Sequence, residues 1–199
     1  MLEPVTFATY FAVMSITPGP NNIMLATSGV NFGLRRTLPH LLGISSGCAL
    51  QLFISALLMS LVVSSLEGIR VWLAVIGCCY LFWLSWKLLK ASAPESREVA
   101  KPMGFLAAAL FQWVNPKVWV MVINSAILFM PGQPSTTSVF MLALMSAVVN
   151  FPCILVWAFG GDRLRHWLQQ AWALRAFNVV MACLLALTAV WMLADEFTA

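Results

Sequence analysis

The sequence predicts an all-α integral membrane protein with six transmembrane helices. We expect two inverted repeats of three helices, with the first and fourth helices broken. Composition predicts the class, because 61% of the 199 residues are hydrophobic and 9% are charged, whereas soluble domains carry about 25% charged residues. Two further observations predict the arrangement: the basic residues of alternate loops, and a proline-containing break at a similar depth in the first and fourth apolar segments.

Six apolar segments are long enough for a spanning helix, which needs about 20 residues. They cover residues 5–26, 38–63, 69–89, 104–130, 136–159 and 174–194. A polar stretch at 91–103 separates the first three segments from the last three. We therefore predict a single domain over 1–199, with one repeat at 1–90 and the other at 104–199. Three helices per repeat invert the second repeat relative to the first.

The basic residues predict the orientation in the bilayer. Nine of the 11 fall in the loops after the first, third and fifth segments: Arg35, Arg36, Lys87, Lys90, Arg97, Lys101, Arg163, Arg165 and Arg175. Because basic loops stay in the cytoplasm, both termini are expected outside. The first segment has no basic region before it and is expected to be retained. Positive charge scattered over loops also argues against nucleic acid as a partner.

The first segment is interrupted by residues that a regular helix cannot accommodate. Each proline removes a backbone donor and clashes with the preceding turn, and glycine adds flexibility. Backbone freed at membrane depth is tolerated where it is buried in protein or lines a cavity, and the N–H groups that open the next helix favour anions. We therefore predict a polar substrate site formed by Thr17, Pro18, Gly19, Pro20, Asn21 and Asn22.

The fourth segment carries a second break at Asn115, Pro116 and Lys117. Paired breaks in the leading helix of each inverted half indicate a transport site where the halves meet, although prolines in membrane helices also form simple kinks. Lys117 is ionisable and lies inside a membrane segment, which makes it a functional candidate. Two roles stay open for its ammonium group: holding a substrate carboxylate, or snorkelling and satisfying freed carbonyls.

Two polar residues of other segments complete the predicted site. Asn150 precedes Pro152 in the fifth segment and is predicted to face the same cavity. Ser46 lies within the Gly43-x-x-x-Gly47 spacing of the second segment. At that spacing, close packing of helices is a simpler interpretation than substrate contact.

The sequence shows no catalytic or metal-binding constellation and predicts no cofactor. The five cysteines lie in apolar runs without a Cys-x-x-Cys spacing. The alternative function is a membrane-embedded enzyme, for example a thiol oxidoreductase that uses Cys78 and Cys79. Adjacent cysteines are poorly placed to form a disulfide with each other, so a transporter is the preferred interpretation.

At these residues the chain resembles the LysE/RhtB amino-acid exporters. The matching residues are Thr17, Pro18, Gly19, Pro20, Asn21, Asn22, Gly33, Gly43, Asn115, Pro116 and Lys117. Hydropathy and loop charge are similar over essentially the whole chain. The resemblance implies export of an amino acid or related metabolite across the bacterial inner membrane, where the loop charges described above place both termini in the periplasm. It also implies coupling to the ion gradient, with a proton as the expected ion, and it is compatible with a homo-oligomer.

The resemblance further implies the charge of the substrate. Exporters of arginine or lysine look to have an acid at the positions of Ser46 and Met121, and this chain has none there. No acidic residue lies deep in an apolar segment, and a cationic side chain in a low-dielectric cavity needs an opposing charge. We therefore expect a small neutral amino acid or derivative as the substrate.

Overall fold

The computed structural model describes residues 4–91, 101–130, 135–168 and 170–198. These residues form helices joined by short connections and include no β-strand, which confirms the all-α class. The helices are α1 (Pro4–Ile16), α2 (Pro20–Phe32), α3 (Leu34–Leu57), α4 (Met59–Ala91), α5 (Phe105–Phe111), α6 (Pro116–Phe129), α7 (Thr136–Trp167) and α8 (Ala171–Thr198).

Both predicted breaks occur in the structure. α1 ends at Ile16 and α2 begins at Pro20. α5 ends at Phe111, a 3-10 turn covers Gln112–Val114, and α6 begins at Pro116. In each case a proline takes the first helical position, where a missing N–H costs nothing. The axis turns by 73° between the two parts of the second broken helix.

The helices have the length and surface of a membrane protein. Among the described residues, α3, α7 and the Trp172–Trp191 part of α8 are long and apolar enough to span a bilayer, and the bent pair α5–α6 gives a fourth span if it is counted as one. Large apolar side chains are exposed on the outside, as expected for contact with lipid. Examples are Leu110, Leu144, Val148, Leu187 and Val190.

The connection between α2 and α3 is a single residue. α2 ends at Phe32, α3 begins at Leu34, and Gly33 between them has a φ of 80°, a conformation that residues with a side chain rarely adopt. Hydropathy predicts a loop at 27–37, and this prediction is wrong. Hydropathy identifies only the apolar part of a helix. The turns on either side of Gly33 are helical but polar or arginine-bearing, so hydropathy assigns them to a loop.

The turn between α3 and α4 lies earlier than hydropathy indicates. α3 ends at Leu57 and α4 begins at Met59, whereas the apolar segments place this turn at 64–68. No glycine, proline or charged residue marks the turn, so a continuous apolar run hides it. The polar connection predicted at 91–103 falls largely on residues 92–100, which lie outside the described residues.

Each broken helix packs mainly against the long middle helix of the other half of the chain. α1 and α2 contact α7, and α5 and α6 contact α3. The principal core lies between these helices and includes Phe7, Leu41 and Leu142. α4 and α8 pair with each other, and a second core that includes Leu81 and Leu185 joins them to α2 and α5.

The contact between α2 and α7 depends on two glycines. A Cβ atom at Gly29 would lie 2.3 Å from the carbonyl oxygen of Ala158, and one at Gly161 would lie 2.2 Å from the carbonyl oxygen of Ala26. Small residues allow helix backbones to approach this closely in membranes. At Gly160, the neighbouring residue on α7, nothing lies within 4 Å of the same position.

We predict that Gly161→Ala destabilises the protein, because the added methyl group meets a backbone oxygen that cannot rotate away. Overpacking of this kind costs roughly 1–3 kcal/mol. The measurement is the thermal midpoint of the detergent-solubilised protein, with Gly160→Ala as the matched control that should keep the wild-type midpoint. Equal midpoints for the two variants would show that α2 and α7 are not packed as described.

Candidate functional site

The end of α1 is held by an amide from the start of α2. Nδ2 of Asn22 donates hydrogen bonds to the carbonyl oxygens of Ser15, at 2.9 Å, and Thr17, at 2.7 Å. These carbonyls lack helical partners because the chain leaves the helix after Ile16. Asn22 is 2% exposed, so the break is stabilised from inside the protein.

The second break is supported by a buried glutamine. Nε2 of Gln112 donates to the carbonyl oxygen of Ala108 at 2.7 Å, and the thiol of Cys48 lies 3.6 Å from Oε1. Asn115 is the N-cap of α6, and its carbonyl oxygen accepts from the N–H of Val118 at 3.0 Å. Both Gln112 and Asn115 are buried, so the polar groups of this break also point inward.

Reciprocal hydrogen bonds join the two breaks. Asn21, the second residue of α2, donates to Oε1 of Gln112 at 2.7 Å, and Nε2 of Gln112 donates back to Oδ1 of Asn21 at 3.3 Å. Lys117, the second residue of α6, donates through Nζ to the carbonyl oxygens of Thr17, at 2.7 Å, and Pro18, at 3.3 Å. The second residue of each half-helix thus reaches the opposite break.

A cavity of about 20 Å³ lies between the breaks. A volume of this size holds about one water molecule, so the cavity is closed to an amino acid in this conformation. Its lining comes from both breaks and from α1, α3, α6 and α7: Met14, Ser15, Gly19, Pro20, Asn21, Asn22, Cys48, Asn115, Lys117, Val118, Met121, Asn150 and Ile154.

Three buried polar atoms of this lining have no hydrogen-bond partner within the part of the chain that the structure describes. They are Oγ of Ser15, Oδ1 of Asn115 and Nδ2 of Asn150. A buried donor or acceptor that stays unsatisfied costs about 1–3 kcal/mol. A hydroxyl, an amide acceptor and an amide donor in one lining are suited to bind a small polar molecule.

The charges around the cavity favour a zwitterion over a cation. Lys117 is the charged side chain in the described lining, which contains no acid, and Met121 is 4% exposed there. The N-termini of α2, at Pro20, and α6, at Pro116, add partial positive charge, while the C-terminal carbonyls of α1 add partial negative charge. A carboxylate and an ammonium group therefore both find complementary partners.

Most of the predicted site residues are brought together. Seven line the cavity: Gly19, Pro20, Asn21, Asn22, Asn115, Lys117 and Asn150. Thr17 and Pro18 contact Lys117 through their carbonyl oxygens, and Pro116 is the first residue of α6. Ser46 is not brought to the cavity, because its exposed hydroxyl donates at 2.7 Å to a carbonyl of its own helix.

Sequence reasoning did not identify Gln112, Cys48 or Ser15. Gln112 is the most informative of them, since it is fully buried and joins the breaks. A signal for it exists: a glutamine inside an apolar segment, three residues before an Asn-Pro pair, needs a buried partner. The structure also shows Lys117 in the second of its two open roles, as a donor to freed carbonyls.

A wider surface cavity of about 570 Å³ lies at the far end of α2 and includes Arg35, Arg36 and Arg165 in its lining, together with Asp162. Oδ1 of Asp162 accepts from the N–H of Leu34 at 3.1 Å and so caps the start of α3. Arginines assigned to the first and fifth loops therefore meet at one end of the molecule.

The cysteines show no arrangement for disulfide chemistry. All five are free thiols. Cys78 is buried and donates to the carbonyl oxygen of Ala189 at 3.2 Å, whereas Cys79 is exposed. The two neighbours point to different sides of α4, which does not support a thiol oxidoreductase.

Comparison with known proteins gives matches over almost the whole chain. The LysE type translocator family matches residues 12–196. A cysteine/O-acetylserine efflux protein of Klebsiella pneumoniae subsp. pneumoniae is 32% identical over 187 residues, which cover 92% of this chain and 93% of the relative. The protein of the same name from Escherichia coli (strain K12) is 30% identical over 186 residues, with 92% and 94% covered. No solved structure matches the chain.

The matched region includes both helix breaks and the residues around the cavity. The relatives are efflux proteins, which agrees with a transporter and not with an enzyme. The chain belongs to the LysE type translocator family of membrane transporters.

Proposed function

We propose that this chain exports small neutral amino acids or their derivatives, such as cysteine and O-acetylserine, across the bacterial inner membrane. The observation that carries the proposal is the meeting of two helix breaks at one small cavity whose described lining contains polar side chains but no acid. The similarity to cysteine/O-acetylserine efflux proteins supports the substrate class.

The proposed architecture is six transmembrane helices in two inverted repeats, with α1–α2 and α5–α6 as the broken helices. Cross-packing supports it, since α1 and α2 contact α7 while α5 and α6 contact α3. Asn21 and Lys117 each hold the second position of the half-helix after a break. Each donates a hydrogen bond to the opposite break, which also supports this architecture. A site between inverted repeats is a recurrent arrangement in secondary transporters.

In the proposed complex the two breaks bind the two charged groups of the substrate. The N-termini of α2 and α6, beside Asn21 and Asn22, receive the carboxylate. Oδ1 of Asn115 and the freed carbonyls of the first break receive the ammonium group, and Nδ2 of Asn150 offers one more donor. Ser46, which the family resemblance suggests as a further contact, is left out of this complex, because its exposed hydroxyl bonds its own helix outside the cavity.

Transport requires the cavity to open in turn to each side of the membrane. At about 20 Å³ the cavity is too small for an amino acid, so this conformation fits a closed intermediate of alternating access. The hydrogen bonds between Asn21 and Gln112, and between Lys117 and the first break, are the contacts that must change. A homo-oligomer is compatible with this proposal.

The proposed orientation places both termini in the periplasm and the end of the molecule that carries Arg35, Arg36 and Arg165 in the cytoplasm. The gathering of these arginines at one cavity supports this orientation. The proposed coupling ion is a proton, on the family resemblance. An imposed pH gradient should then accelerate efflux from loaded proteoliposomes.

We predict that the unmodified protein discriminates against cationic amino acids. In counterflow, labelled serine or O-acetylserine should move much faster than labelled arginine, because the described lining offers no acid to pair with a guanidinium. Met121→Asp adds such an acid and should raise the ratio of arginine to serine by about tenfold or more, the scale of a charge-assisted hydrogen bond.

Ser46→Asp is the matched control for this test. Ser46 lies outside the cavity and is exposed, so the same charge added there should leave the ratio unchanged. Arginine moving as fast as serine through the unmodified protein would refute the proposed substrate class.

We predict that impermeant thiol reagents applied from the periplasmic side label cysteines at positions 2 and 198 but not Arg36→Cys or Arg165→Cys. The background is a variant without exposed cysteines. The expected pattern follows from the retention of basic helix ends in the cytoplasm. Labelling at the arginine positions and not at positions 2 and 198 would show that the topology is the inverse of the proposed one.

A further inference from the structure

The ammonium group of Lys117 lies on the open end of α1. Nζ donates to the carbonyl oxygen of Thr17 at 2.7 Å, to Oγ1 of Thr17 at 2.9 Å and to the carbonyl oxygen of Pro18 at 3.3 Å. All three N–H donors of a primary ammonium can be used in this way. These three oxygens, which we call the oxygen cradle, therefore fit an –NH₃⁺ group.

Nδ2 of Asn22 already donates to the carbonyl oxygen of Thr17 at 2.7 Å, so the oxygen cradle requires further donors at its remaining lone pairs. The carbonyls of Thr17 and Pro18 lie just beyond Ile16, the last residue of α1, and so have no helical donors. They also carry the partial negative charge of the helix end, which favours a cation. Without substrate, the side chain of Lys117 satisfies this requirement from the other half of the protein.

We propose that the oxygen cradle is the binding site for the α-ammonium group of the substrate and that Lys117 occupies it only while the transporter is empty. This inference rests on the proposed function, since it concerns the same site. Lys117 lines the cavity as well as bonding the cradle, so an amino acid entering the cavity meets it directly. The substrate ammonium then displaces Lys117 and takes over its hydrogen bonds.

The distances favour an ammonium group over a metal cation as the ligand. The three contacts of Nζ are hydrogen-bond lengths between 2.7 and 3.3 Å, whereas hard cations such as Ca²⁺ and Mg²⁺ need oxygens at about 2.0–2.6 Å. The neighbouring glycine keeps the position open. A Cβ atom at Gly19 would lie 2.9 Å from Cδ and 3.1 Å from Nζ of Lys117.

The proposal separates two modes of transport. Net efflux requires the transporter to return empty, with Lys117 in the oxygen cradle. Exchange, with substrate on both sides, lets every return carry a substrate whose ammonium group fills the cradle. Removing the Lys117 ammonium should therefore impair net efflux and spare exchange.

The test uses the full-length protein in proteoliposomes with labelled O-acetylserine as the probe, in choline buffer without sodium. Lys117→Met should slow net efflux by about tenfold or more, the scale of a lost hydrogen bond to a charged group, while exchange stays close to the wild-type rate. Lys101→Met is the matched control, because Lys101 is exposed and lies before α5. It should retain both modes.

Gly19→Ala provides a second, independent variant. Its φ of −178° is open to any residue, so the new methyl group acts by shifting the flexible end of Lys117 and weakening its bonds to the cradle. It should slow net efflux more than exchange, as Lys117→Met does, and should add nothing to the Lys117→Met variant. This comparison decides the question if Lys117→Met does not fold.

Four results would overturn the inference. Equal loss of both modes in folded Lys117→Met would mean that the lysine serves the loaded transporter, and retention of both modes would make it a structural contact only. Wild-type exchange that needs sodium would assign the oxygen cradle to sodium. If the wild type shows neither mode, the proposed function fails and the inference with it. If the wild type transports substrate but Lys117→Met does not affect net efflux more than exchange, the inference fails and the proposed function stands.

Discussion

The structure depends on the satisfaction of the backbone carbonyls that are freed where α1 ends. The chain leaves the helix there, so the last carbonyls have no N–H donors from a following turn, and a membrane interior offers little water in their place. The donors come instead from Asn22, at the start of the next half-helix, and from Lys117, at the start of the other one. Since Lys117 belongs to the second half of the chain, satisfying one break ties the two halves together.

The packing around the breaks fits this constraint. The contacts of Gly29 and Gly161 hold α2 against α7 at backbone distance, and α3 holds α5 and α6. The short half-helices are therefore fixed by long neighbours from the opposite half, while their broken ends meet at a cavity of about 20 Å³. Rigid flanks around a polar, closed centre suit a transporter whose site opens by a relative movement of the halves.

The sequence predicted the parts of this arrangement that have strong local signals. Prolines mark the breaks, and Asn150 and Lys117 are conspicuous as polar residues inside apolar runs. Gln112 was missed because its importance appears only with its partner, Asn21, which is 91 positions away. The end of α3 was misplaced because no turn residue interrupts the apolar run at Leu58. Ser46 illustrates a limit of alignment. If the alignment of α3 is shifted by one residue, the side chain assigned to the site points in a direction that differs by about 100°.

The central claim is that the two breaks enclose one site that must open for transport. The most direct measurement uses the native Cys48 and a Val118→Cys variant, because both positions line the cavity from different halves. Joining them with a short bifunctional thiol reagent should stop O-acetylserine exchange, and substrate should slow the joining. Two controls receive the same reagent: the wild type, and a variant that combines Cys48→Ala with Val118→Cys. Both should keep their exchange activity. Full exchange by the crosslinked protein would contradict the account.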